Sequence, residues 1–140
     1  MIRATSLSTL SSSFPTTEIS YDDLIGMPYR PGGRYGNSFI DCLGVVLEVY
    51  ARAGLGLPDP VTSTEALLAF SEIFEEIPIA DTLYDLVDLR HRQHHLMVVV
   101  RPGLLLSAKE RAGVYAPRTK AFIQRDDVTY WRLRADAYPI

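Results

Sequence analysis

The one cysteine of the chain, Cys42, stands at the head of an apolar segment, "DCLGVVLEVYA", and all three histidines fall within five positions, "HRQHH", at His91, His94 and His95. Those residue types can do thiol chemistry, in which a thiolate attacks a carbonyl carbon and an imidazole takes and returns the proton. The head of a helix suits a thiolate, because unpaired N–H groups and the helix dipole favour negative charge there. Plainer readings compete. A free cysteine is among the most buried residue types and behaves as a small hydrophobe, and a histidine-rich turn can be solvated surface. Zinc is a weaker reading still, since the histidines stand at a turn-to-strand junction with no acidic or thiol motif beside them. Periodicity alone leaves packing and catalysis both open.

The elements that must position these groups follow from spacing. From Asp41 to Ala53 the residues Cys42, Val45, Val46, Val49, Tyr50 and Ala53 recur with a helical period, and Gly54 supplies the left-handed stop. Leu43 and Leu47 lie off that stripe, so the helix is expected to be largely buried, with Glu48 and Arg52 as an exposed pair. Ahead of it "PYRPGGRYGN" holds two prolines, three glycines and an asparagine, which predicts irregular backbone from Pro28 to Asn37. A short helix is expected near "SYDDLIGM", capped by Ser20 and ending at Pro28. A further helix is expected in "VTSTEALLAFSEIFEE", capped by Thr62 and facing Leu67, Leu68, Phe70, Ile73 and Phe74 inward.

After Pro78 the texture changes to short β-branched and aromatic runs, "LYDLVDLR", "HLMVVV", "LLLSA", "GVYAP" and "DDVTYWRLR", separated by Gly, Pro or polar residues. In the last of these, Val128, Tyr130 and Arg132 alternate with Thr129, Trp131 and Leu133, predicting a sheet with one solvated side. Helices first and antiparallel strands second make an α+β domain, N-terminal helices packed on a C-terminal antiparallel sheet.

Composition narrows the function classes. A chain of 140 residues fits one domain, here residues 18–140, preceded by a Ser/Thr-rich arm over residues 1–17 that is expected to be flexible. A single cysteine forms no internal disulfide. With 14 Lys and Arg against 17 Asp and Glu, net charge −3, and no basic cluster, nucleic acid is not an expected partner. No run reaches the roughly 20 apolar residues of a membrane span, and the arm lacks the apolar centre of a signal peptide, so the expectation is a soluble product made in the cytoplasm.

"GMPYRPGGRYGNSFIDCLGVVLEVYARAGLGLPDP" resembles the first half of the NlpC-type papain-like cell-wall peptidases, with their G-x-P-Y segment, glycine-rich loop, Asp-Cys-x-Gly on a helix and Gly-x-x-Leu-Pro exit. "YDLVDL" resembles the family's first strand, and "HLMVVVRPGLLLSA" its strand pair, which starts at the catalytic histidine and ends in His-Ala; the resemblance runs from Gly26 to about Val114. It implies a papain-like NlpC fold with Cys42 as nucleophile, His95 as general base and Ser107, twelve positions on, as the third, orienting residue. Tyr29 falls on the tyrosine near the oxyanion, and Asp41 with it lines the substrate side. His94 is the rival to His95 if the register slips by one; His91 and His94 are taken as solvated.

Two residues depart from the family pattern. Ser107 stands where the family carries His, and Leu43 where a Ser often follows the nucleophile. A hydroxyl accepts an imidazole N–H but carries no charge to stabilise imidazolium. "DCLG" resembles the branch found in bacteriophage tails. The resemblance therefore implies a cysteine endopeptidase that needs no cofactor or metal and acts on peptidoglycan stem peptides at a D-γ-glutamyl-diaminopimelate bond. Its setting would be a phage tail tip or hub acting in the periplasm or cell wall. The alternative is a weak or inactive peptidase-like module of such a tail.

Overall fold

The structure is a computed structural model that describes residues 19–60, 63–90, 94–123 and 125–135. The arm over residues 1–17, the cap expected at Thr62 and the turn residue His91 lie outside the described residues. Two α-helices, α1 (Cys42–Arg52) and α2 (Ser63–Phe70), precede six strands. These are β1 (Phe74–Ile77), β2 (Leu86–Arg90), β3 (His94–Arg101), β4 (Leu104–Lys109), β5 (Gly113–Tyr115) and β6 (Val128–Leu133). They form one antiparallel sheet in the order β1-β6-β2-β3-β4-β5. The α+β architecture expected from the sequence is present. Among the described residues no helix is long and apolar enough to cross a membrane.

α1 forms where the apolar period lies and is buried on nearly all sides; Leu43, off the main stripe, is as buried as Val45 and Val49. It packs on the sheet face that carries Leu86, Leu96, Val98 and Leu106, together with Phe70 and Phe74. Each such aliphatic side chain taken out of water contributes about 1.5–3 kcal/mol, which is why the helix needs no exceptional propensity. The end of α1 is tied down by Tyr50, whose hydroxyl donates to the Tyr84 carbonyl and whose ring meets Phe74 edge-on at 6.1 Å.

Three expectations need correction. The segment after Ser20 is a run of turns, not a helix. Its backbone goes instead to β5, with Gly26 N–H donating to the Val114 carbonyl and Val114 N–H to the Met27 carbonyl, both at 3.0 Å. The second helix stops at Phe70, and Phe74–Ile77 becomes strand β1 paired with Leu133–Tyr130. Pairing with β6 outweighs the helix preference of Glu75 and Glu76. Lastly, β6 has no fully solvated side. Val128 and Tyr130 pack against a second cluster of Ala80, Val87, Met97, Val99, Leu105 and Phe122, built where the 3-10 turn Thr119–Phe122 covers the face away from α1.

Candidate functional site

The start of α1 is fixed by Asp41. Its extended backbone (φ −108, ψ −177) and side chain make it the N-cap, with Oδ1 accepting the Gly44 N–H at 2.7 Å. Oδ2 accepts the Gly32 N–H at 2.9 Å, and Arg34 Nη1 donates to Oδ1 at 2.9 Å. Arg34 also donates to the Gly33 carbonyl and, through Nε and Nη2, to Asp59 and the Pro60 carbonyl. One guanidinium thus ties the glycine-rich loop, the helix start and the Leu-Pro exit together. The two inner glycines of the motif are there for space. A Cβ on Gly44 would sit 2.6 Å from the Gly33 carbonyl oxygen, and one on Gly33 would sit 2.8 Å from the backbone at Phe39 and Ile40. Asp41, expected to line the substrate side, has both carboxylate oxygens occupied in positioning Cys42.

Cys42 follows at the first helical position and is buried. The chain reaches it past the edge of β5: Gly26 and Met27 pair with Val114, and Tyr29 then bridges to Ile40, two residues before the thiol. Negative charge on Cys42 is felt by two phenols. Burial and then Cys42 raise the pKa of Tyr115, and burial, then Cys42, Asp41 and Glu110, raise that of Tyr29.

Tyr115 connects this region to His95. Its hydroxyl lies 3.1 Å from His95 Nε2, and the two rings are nearly parallel (14°) with centroids 6.4 Å apart. Ser107 is fully buried and its Oγ lies 3.2 Å from the same Nε2. The only hydroxyl hydrogen of Ser107 goes to the Leu96 carbonyl at 2.7 Å, so Oγ can only accept from the imidazole. Ser107 is thereby matched to the tautomer with hydrogen on Nε2 and the lone pair on Nδ1, whereas the Tyr115 hydroxyl, 3.1 Å from the same Nε2, can donate as well as accept. Burial, and secondarily the ammonium of Lys109, lower the His95 pKa from 6.5 to about 4, so the ring is neutral at pH 7.

The pleat separates the two candidate bases. His95 pairs with Leu89 and alternates with Met97 and Val99, sharing its face with Ser107 and Tyr115. His94 falls on the other face with Leu96 and Val98, where Nδ1 lies 2.9 Å from an oxygen of the buried Asp88. Burial raises the Asp88 pKa, and His94 and Arg90 pull it back. His94 is therefore anchored to a carboxylate rather than simply solvated. The family resemblance singled out Cys42, His95 and Ser107; neither it nor spacing pointed to Tyr115, Lys109 or Asp88. Tyr115 lay within "GVYAP", which reads as a strand, but which residue a short strand sets opposite another depends on register.

Among the described residues no group of three or more His, Cys, Asp or Glu side chains could hold a metal ion. Cys42, on α1, and His95, on the sheet face opposite the one that α1 covers, are linked through Tyr115, which contacts the imidazole and feels the charge of the thiol; the groups on offer are a thiol at a capped helix start, a neutral imidazole and two phenols. No family model matches the chain, and no curated protein was found to match it.

Proposed function

We propose that the protein is an NlpC-type, papain-like cysteine endopeptidase that cleaves a peptidoglycan stem-peptide amide, of the D-γ-glutamyl-diaminopimelate kind, as a phage tail-tip component that opens the cell wall. The observation that carries this reading is the contact of Ser107 Oγ, its own hydrogen given to Leu96, with His95 Nε2, which suits a ring whose Nδ1 serves as the base. A buried histidine with no task could present either nitrogen. Support for the family comes from the motif, whose glycines and aspartate each have a positional reason at the start of α1.

In the reaction, the Cys42 S–H proton passes to His95 Nδ1 as Sγ attacks the amide carbon, giving a tetrahedral oxyanion that helix-start N–H groups and Tyr29 stabilise. Collapse breaks the C–N bond, and imidazolium returns the proton to the departing amine. Water then attacks the thioester with His95 as base, releasing the acid and restoring the thiol. A low His95 pKa keeps the base form in place at neutral pH and makes the imidazolium step the harder one.

That last feature favours a second reading, a peptidase-like structural module of the tail with weak or no turnover, since burial, Lys109 and an uncharged Ser107 all disfavour imidazolium. Digestion of purified sacculi, with Cys42→Ala as control, separates the two. An active enzyme releases new amino groups that the variant does not, whereas a module releases none from either protein.

A further inference from the structure

Lys109 stands on the same sheet face as the base. In β4 it alternates with Ser107 and Leu105, and across the hairpin Ser107 pairs with Tyr115 and Lys109 with Gly113. Its Nζ sits 4.5 Å from the centroid of the Tyr115 ring, whose hydroxyl contacts His95 Nε2. The arginines Arg34, Arg52, Arg125 and Arg132 are each held by a carboxylate. Lys109, by contrast, is exposed and has no carboxylate within ion-pair distance among the described residues. The neighbouring acid, Glu110, acts on Tyr29 instead. A cation next to a general base opposes protonation of that base, so within the protein alone it works against the chemistry. A bound anion reverses this.

We propose that Lys109, braced on Tyr115, is a specificity residue that pairs with a carboxylate on the acyl side of the scissile amide, so that the preferred substrate is an acidic acyl donor. This rests on the peptidase reading above. A γ-linked glutamyl residue meets the requirement, because its free α-carboxylate lies four bonds, at most about 5 Å, from the γ-carbonyl carbon. The bound carboxylate would offset the ammonium's effect on His95 as the substrate arrives, and the aromatic face holds the flexible lysine stem in one place.

The test compares two alanyl-γ-D-glutamyl-lysine peptides, one with a free α-carboxylate and one with an α-carboxamide. In the parent protein kcat/KM should favour the carboxylate by about 2–5-fold, the range of a partly exposed charge pair, with the difference in KM. The preference should vanish in Lys109→Met and persist in Lys109→Arg. A parent that cleaves both peptides equally, or a Lys109→Met variant that keeps the preference, overturns the inference and leaves the peptidase reading standing. If neither peptide is cleaved, binding to the parent and to Lys109→Met, read by NMR titration, decides. A lysine-dependent preference for the carboxylate would uphold Lys109 without the hydrolase, and no binding of either peptide would overturn both.

Discussion

Acidification should destabilise the fold through His95, and the amount follows from its surroundings. The buried imidazole has a pKa near 4 in the folded protein against 6.5 when free. Between those values the unfolded chain binds a proton that the folded chain refuses, so stability is complete above about pH 6.5 and falls as pH drops toward 4. The full difference corresponds to about 3 kcal/mol, of which about 2 kcal/mol is lost between pH 7 and pH 5. Urea unfolding of the parent and His95→Gln at pH 7, 6 and 5 measures it, since glutamine cannot titrate. Subtracting the two curves removes groups common to both, including Asp88, whose raised pKa acts in the opposite sense and stabilises as the pH falls. The parent should converge on or fall below the variant as the pH is lowered. Curves that stay parallel to within about 0.5 kcal/mol across this range would mean that His95 is hydrated in the folded state, and the neutral-base mechanism would lose its footing.

Cys42→Ala should abolish hydrolysis of sacculi while leaving the unfolding free energy in urea within about 1 kcal/mol of the parent, because alanine fits where the buried thiol packs; undiminished digestion would rule out the thiol mechanism. Ser107→Ala frees the Leu96 carbonyl and removes an acceptor at His95 Nε2, so turnover on stem peptides should fall by about 10-fold, a modest part of what general acid–base catalysis supplies; an unchanged rate would remove Ser107 from the site. Gly44→Ala forces a methyl against the Gly33 carbonyl and should destabilise by about 1–3 kcal/mol, read as a shift in melting temperature. Asp41→Ala removes three accepted hydrogen bonds, one of them the helix cap and one charge-paired with Arg34, and should cost about 2–4 kcal/mol in chemical denaturation; a loss below about 1 kcal/mol would show that the loop holds the helix start without it.

Local information was enough for α1, whose period and glycine stop agree with one another, and for the existence of β2 to β6, each a short β-branched or aromatic run between breakers. The family resemblance, not local pattern, paired Ser107 with His95, and the tight hairpin at Pro102-Gly103 brings the two within 3.2 Å. Local pattern misled where a segment's partner is remote. Phe74–Ile77 looks helical until β6 is there to pair with, and the turn at Gly26 follows from β5, almost ninety residues on.

The residue types, the motif and its spacing were thus set by the sequence alone, as were the thiol at a helix start and a histidine at the head of a strand. What only the tertiary structure decided was the company each keeps. A two-residue pleat sends His94 to Asp88 on one face and His95 to Ser107 and Tyr115 on the other, and the pairing of Gly26 and Met27 with β5 brings Cys42 within electrostatic reach of Tyr115. Spacing along a chain cannot carry that information, because burial and hydrogen-bond geometry, which lower the His95 pKa and set the partners of its ring, arise only when remote strands pair.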